Sequence, residues 1–266
     1  MTLVVKPGIV LAKSWDLAAF DADAAAYIQR VEWADTTPLE STTRTAINNF
    51  VVGCKADGIW NAIKASCILA GARTLAGALM PLAGTAPTNF NFVSGDYDRK
   101  TGLVGDSSTK YLHSNRFGNS DSQDSQHMSV YVSTRPTGSN QKAYIGDASA
   151  VGATYVFYNV STSTLFTSSR TANQEESISA STHTGLVGIS RSGSANYNRR
   201  LSVSTTTLTR TSAAGGNNPI YVFAFGPSFF NGNGRLAFYS IGESLDLALL
   251  DARVTTLINA FAAAIP

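Results

Sequence analysis

The chain is poor in charge: only 14% of its 266 residues are Asp, Glu, Lys or Arg, and 20 basic residues against 18 acidic ones leave a net charge of +2. Nucleic-acid binding needs a clustered basic face. Arg99-Lys100 and Arg199-Arg200 are isolated basic pairs, so no nucleic-acid partner is expected. Glutamate is scarce too, with Glu32, Glu40, Glu175, Glu176 and Glu243 the complete set. Retaining glycoside hydrolysis needs two carboxylates held about 5 Å apart. Glu175 and Glu176 are adjacent, so in an extended chain they point to opposite sides. Glu32 and Glu40 lie in a helical region and Glu243 before a helix start. No catalytic residue is assigned, and the chain reads as a non-enzyme. It has neither a Gly-x-Ser-x-Gly elbow nor a phosphate-binding loop.

Histidine is limited to His113, His127 and His183, which share no ligand spacing and are expected at the surface or in turns. Asp96 with Asp98, and Asp121 with Asp124, read as solvated turn residues rather than calcium ligands. No metal and no cofactor is expected. The two cysteines, Cys54 and Cys67, sit in apolar contexts and read as buried free thiols made in a reducing cytoplasm. Long apolar runs are missing: Cys67 to Ala86 is broken by Arg73 and Pro81, so no membrane insertion is expected. The start lacks a basic segment and Pro7-Gly8 splits its apolar part, which argues against a signal peptide.

What the chain has in quantity is Gly, Ser, Thr and Asn between short runs of aromatic and β-branched residues. That pattern begins near residue 88 and predicts strands near 90–94, 102–104, 109–113, 127–134, 141–146, 154–160, 164–169, 177–180, 185–191, 197–211, 219–225 and 234–241. Turn signals recur about every ten residues, the spacing of an antiparallel sandwich. Val130 and Val132 alternate with Tyr131, as in a strand with two different faces. Before this lies helical sequence. Asp21 caps a helix to about Ala34, and Thr37-Pro38-Leu39-Glu40 reads as a capping box opening a second helix. Ile59 to Lys64 reads as a further helical turn or two, Cys67-Ile-Leu-Ala-Gly as a first strand, and Leu75 to Leu82 as a short helix. At the other end Ser244 is the expected N-cap of a helix with Leu247, Leu250, Val254, Leu257 and Phe261 on one face. That stripe suits packing on the helices at 38–66, or a trimer seam.

The expected architecture is mainly β: an antiparallel β-sandwich with an N-terminal helical subdomain and a C-terminal helix. The divisions are an arm at 1–15, helices at 16–66, the sandwich at 67–243 and the closing helix at 244–266.

Three stretches carry a resemblance: Val51 to Leu79, Asn89-Phe-Asn-Phe to Thr101-Gly-Leu, and Phe238-Tyr-Ser-Ile-Gly. Together the region 40–263 resembles tail and appendage proteins of bacteriophages, including those of cyanobacteria. Its middle resembles a concanavalin A-like, laminin-G-like jelly roll. The resemblance implies a virion structural protein, most simply an adhesin-like tail fibre contacting the host surface, with other virion proteins as partners and assembly as a homotrimer. A capsid decoration, collar or cement protein is the alternative, and a carbohydrate-active enzyme is a more distant one. A host-surface glycan is the ligand such a role implies.

Loop aromatics are the candidate contacts. Phe229 and Phe230 lie in Gly226-Pro-Ser-Phe-Phe-Asn-Gly-Asn-Gly, where exposed rings would meet a sugar, a partner subunit or the particle. The alternative is that they fold back over the sandwich end. Phe117, Tyr158 and Tyr197 are weaker versions of the same case. Leu3, Val4, Val5, Ile9, Val10 and Leu11 form an apolar arm suited to docking on a particle by strand addition or groove binding.

Overall fold

The computed structural model describes residues 17, 19–172, 175–227 and 229–265. The docking arm around Leu3, Val4, Val5, Ile9, Val10 and Leu11 lies outside them. Helix α1 (Ala22–Asp35) and α2 (Ser41–Ala56) come first, followed by β1 (Ile63–Ile68), a single turn α3 (Leu75–Ala78) and β2 (Pro81–Ala83). Strands β3 (Thr88–Phe90), β4 (Tyr97–Asp98), β5 (Gly102–Val104), β6 (Tyr111–Phe117), β7 (Gln126–Thr134) and β8 (Gln141–Asp147) follow. Then come β9 (Thr154–Asn159), β10 (Thr164–Ser169), β11 (Glu176–Ser179), β12 (Gly185–Arg191), β13 (Asn196–Leu201) and β14 (Ser204–Thr209). Strands β15 (Pro219–Val222) and β16 (Arg235–Gly242) and helix α4 (Leu247–Ala264) complete the chain.

The strands form two antiparallel sheets. The first runs β14-β13-β12-β7-β16-β1-β2, with β5 also on β16 and paired to β4; the second runs β11-β10-β9-β8-β15-β6-β3. Between them, Met128, Val130 and Val132 of β7 meet Ile145, Val156, Leu165 and Val222 of the second sheet. The intervening Tyr131 faces the other way, toward the helices. There Phe238, Ala237, Leu186 and Ile68 pack under Phe50, Val51, Leu250, Val254 and Phe261, with Phe50 edge-on to Phe238 at 5.9 Å. The first sheet is therefore covered on both faces, which is why Leu236 to Ile241 reads as an almost unbroken apolar run. The described α-helices lie on that sheet, and the outer face of the second sheet is covered in part by its own rings, with Tyr111, Tyr221 and Phe157 buried.

Several local readings need correction. Helix α2 starts at Ser41 with Glu40 at its N-cap and no side-chain cap. The Glu40 carboxylate is taken by Arg99, at 2.8 and 3.1 Å, and by Arg73 at 3.2 Å, so a tertiary ion pair displaces the capping box. Helix α4 is capped by Asp246, whose carboxylate accepts from Ala248 and Leu249 N–H, because Ser244 is engaged by the Ser125 hydroxyl. Residues 59–64 are a 3-10 turn (Trp60–Ala62) running straight into β1, whose Ile63 is buried opposite Gly242. The 197–211 run is two strands, β13 and β14, hinged at Ser202 in the left-handed region (φ 52°). His127 and His183 are buried rather than superficial.

Candidate functional site

Alternation along the second sheet places rings on its outer face in two groups. On β3, β6 and β15, Phe90 stacks on Tyr111 at 4.4 Å, Tyr111 meets Tyr221 at 5.6 Å, and His113 lies between Tyr221 and Phe117. On β9, Tyr155 stacks on Phe157 at 4.3 Å, and Phe225 caps both. Gly146 lies between the groups, opposite both Tyr221 and Tyr155, and the Phe225 ring fills the space its missing side chain leaves.

Phe229 and Phe230 belong to a tight return, residues 223–232, that extends from the end of β15. Phe225 N–H donates to the Phe229 carbonyl at 3.0 Å and Gly232 N–H to the Phe223 carbonyl at 2.7 Å. Ala143 N–H on β8 donates to the Phe230 carbonyl at 2.6 Å, and Ser107 N–H to that of Gly232 at 3.2 Å. The backbones approach so closely that a Cβ on Gly232 would stand 2.5 Å from the Ala143 oxygen, and one on Gly105 would stand 2.1 Å from the Gly232 oxygen. Only glycine fits at either place. Phe223 (φ 69°) and Phe230 (φ 54°) are bulky residues held in the left-handed region, a strain of about 1–3 kcal/mol each that the surrounding bonds sustain.

The two rings of this segment are placed differently. Phe230 folds back on Phe157 at 5.4 Å and stays 39% exposed, while Phe229 projects and is 61% exposed. Phe117 is 40% exposed at the far end of the same face. Tyr197 is not a surface contact: it is 1% exposed, its hydroxyl is bonded to Thr167, and its ring lies under the Arg191 guanidinium at 5.5 Å. Tyr158 is likewise a core residue, with its hydroxyl on Arg135.

Beside Phe230 runs an open groove of about 630 Å³. The start of β8 contributes Asn140, Gln141 and Lys142, and the end of β9 contributes Asn159. Ser107, Ser108 and Asn231 complete the lining, with Ser107 N–H bonded to the carbonyl of Gly232, next to Asn231. The serines are presented by Asp106, which accepts from Ser108, Thr109 and Lys110 N–H at 2.8 to 3.0 Å and from the Thr109 hydroxyl. Those bonds hold its carboxyl down at about 2. Sequence reasoning passed over these groove residues. Asn, Ser and Gln in turns carry no periodic signal, and only the pairing of distant strands gathers them.

Among the described residues the carboxylates named in the sequence analysis do not converge. Glu32 pairs with Arg44, Glu176 with Arg210 and Glu243 with Lys64, while Glu175 accepts from the Tyr155 hydroxyl. Asp96 holds Lys110, Asp98 holds its own turn through Thr101, and Asp121 holds Arg116. Asp147 is fully buried, accepts from Ser149 and Thr154 N–H, and is pushed up to about 6 by burial. His127 is buried between the Glu243 carbonyl at 2.6 Å and the Ser240 hydroxyl at 2.7 Å, and burial lowers it to about 4. His183 bonds Tyr144 at 2.7 Å and is also lowered by burial. Among the described residues no three His, Cys, Asp or Glu gather as metal ligands. Cys54 and Cys67 are buried free thiols pushed up to about 12.

Two packed sheets of this order, one roofed by helices, place the chain among solved structures. The fold is a jelly-roll, concanavalin A-like sandwich. A botulinum neurotoxin serotype D binding domain superposes with a TM-score of 0.51 at 10% identity, covering 74% of this chain and 51% of that one. The binding domain of botulinum neurotoxin DC in complex with SialylT gives a TM-score of 0.47 at 12% identity, over 76% of this chain and 52% of that one. Mouse laminin alpha1 chain, domains LG4-5, gives 0.37 at 13% identity, over 63% and 47%. The chain thus spans about half the length of each of these. No protein-family model and no curated protein sequence matches it.

Proposed function

We propose that this chain is a non-enzymatic, adhesin-type binding module that contacts glycans on a host surface through the 223–232 return and the groove beside it. The observation that carries the reading is the exposed pair Phe229 and Phe230, held on strained backbone next to a groove of amides and hydroxyls. Rings offer a face for the apolar side of a sugar, and amides match its hydroxyls. The paired state of the five glutamates supports a role without hydrolysis. The resemblance in Val51 to Leu79 and Phe238 to Gly242 supports a bacteriophage tail appendage as the setting. There the module works in the virion as a homotrimer, anchored to other virion proteins by its N-terminal arm.

A glycan array probed with the purified chain tests this. Binding to a defined glycan class is expected, weakened at least tenfold by Phe229→Ala with Phe230→Ala. An array blank at high micromolar protein removes the adhesin reading and leaves a capsid decoration or cement role. Release of reducing sugar from a bound polysaccharide would overturn the non-enzymatic assignment.

A further inference from the structure

The groove holds polar groups that the fold does not use. Asn231 is only 4% exposed, and its Nδ2 is buried without a hydrogen-bond partner among the described residues. The Ser107 hydroxyl, in the lining of the same groove, is also buried and unpaired among them. Leaving such a group unmatched costs about 1–3 kcal/mol, and native proteins keep few of them. Two on one groove point to an occupant that pairs them. The charges agree. Lys142 lines the groove, half-buried, and no carboxylate among the described residues pairs with it. No Asp or Glu lines the groove either. The neighbouring carboxylate, Asp106, spends its oxygens on its own turn, and Asp96 is held by Lys110. The groove therefore offers one ammonium, an unpaired amide N–H, several neutral polar groups and the Phe230 ring, with nothing to repel an anion.

We infer that the groove takes an anionic saccharide unit, one carrying a carboxylate or a sulfate. The charged group meets Lys142 and the Asn231 amide, the hydroxyls exchange hydrogen bonds with Ser107, Asn140 and Asn159, and the apolar sugar face lies on Phe230. This rests on the glycan-binding reading above and adds to it the charge of the ligand and the residues that read it.

The test is titration calorimetry of the whole chain with a uronic-acid oligosaccharide, a sulfated oligosaccharide and a neutral oligosaccharide of the same length, at two ionic strengths. At least one charged ligand is expected to bind tenfold or more tightly than the neutral one, with the gap narrowing at high salt. The uronate and sulfate arms identify which anion is preferred. Lys142→Gln is expected to abolish the preference and Lys142→Arg to keep it, both with unchanged thermal unfolding because Lys142 has no ion pair to lose. Asn231→Asp, which brings a carboxylate to the groove, is expected to weaken the charged ligand tenfold or more. Equal binding of charged and neutral ligands, or no effect of Lys142→Gln, overturns the charge assignment and leaves the glycan reading standing. Binding of none of the three at millimolar concentration overturns this assignment, while binding of some other glycan on the array keeps the broader one alive.

Discussion

Asp147 and His127 are both fully buried, and burial moves them in opposite directions. Asp147 rises from 3.8 to about 6 on folding, so between these values the folded chain holds a proton that the unfolded chain has released. Its contribution to stability therefore falls as pH rises through that window. His127 drops from 6.5 to about 4, so there the unfolded chain holds the extra proton and stability rises with pH. His183, lowered by the same cause, acts in the same sense as His127. Asp147→Asn removes the opposing slope. The variant is expected to gain stability more steeply than the parent from pH 4 to 6.5, the difference reaching on the order of 2 kcal/mol. Denaturant unfolding across that range measures it, and parallel curves for the two proteins would sink the argument. Buried arginine behaves differently. Among the described residues no carboxylate is bonded to Arg170, which donates to the carbonyls of Gly118, Asp121 and Ser122, stapling a loop at the sandwich end. None of this was legible beforehand: a lone His or Arg in a sequence says nothing about which distant carbonyl will reach it.

At the scale of elements the strands were legible and their ends were not. Alternation in β7, and turn residues on either side, are local facts that survive folding. The ends were settled by partners far along the chain, Arg99 for Glu40, Ser125 for Ser244 and β16 for β1. Helix α4 illustrates the same dependence. By length and composition it is apolar enough to cross a membrane. Its stripe Leu247, Leu250, Val254, Leu257 and Phe261 is instead buried against α2 and the first sheet. Its polar side is tied down as well, Asp251 by Arg200 and Arg253 by Asp57. Phe261 is fully buried over Gly71, so Phe261→Ala is expected to cost about 3–5 kcal/mol. Glycan affinity measured well below the lowered melting temperature should be unchanged, since none of the groove-lining residues belongs to the core cluster that α4 packs in. A loss of affinity as large as that of the Phe229 and Phe230 variants would refute that separation.

On the scale of the whole molecule, the helices cover one sheet and not the other, and the proposed binding side lies on the uncovered sheet. Weak sites on such a face gain from linkage, because copies joined together rebind at high effective concentration. Light scattering after size exclusion is expected to give three times the 28.1 kDa chain mass. On a dense glycan surface the assembly should dissociate about 100-fold more slowly than a single copy. A single-chain mass at micromolar concentration would remove the trimer. What the sequence determined by itself was the class of fold: the period-2 pattern, the turn residues and the terminal helix stripe are short-range signals that need no partner to be read. Only the tertiary structure decided which rings are exposed and which polar groups share a groove. Phe229 and Tyr197 are alike as aromatic residues near turns, yet one projects and the other is core. Tyr197 lies on β13 with its ring in the core between the sheets, whereas Phe229 lies in the return between β15 and β16, and the pairing of strands far apart in the chain sets both places.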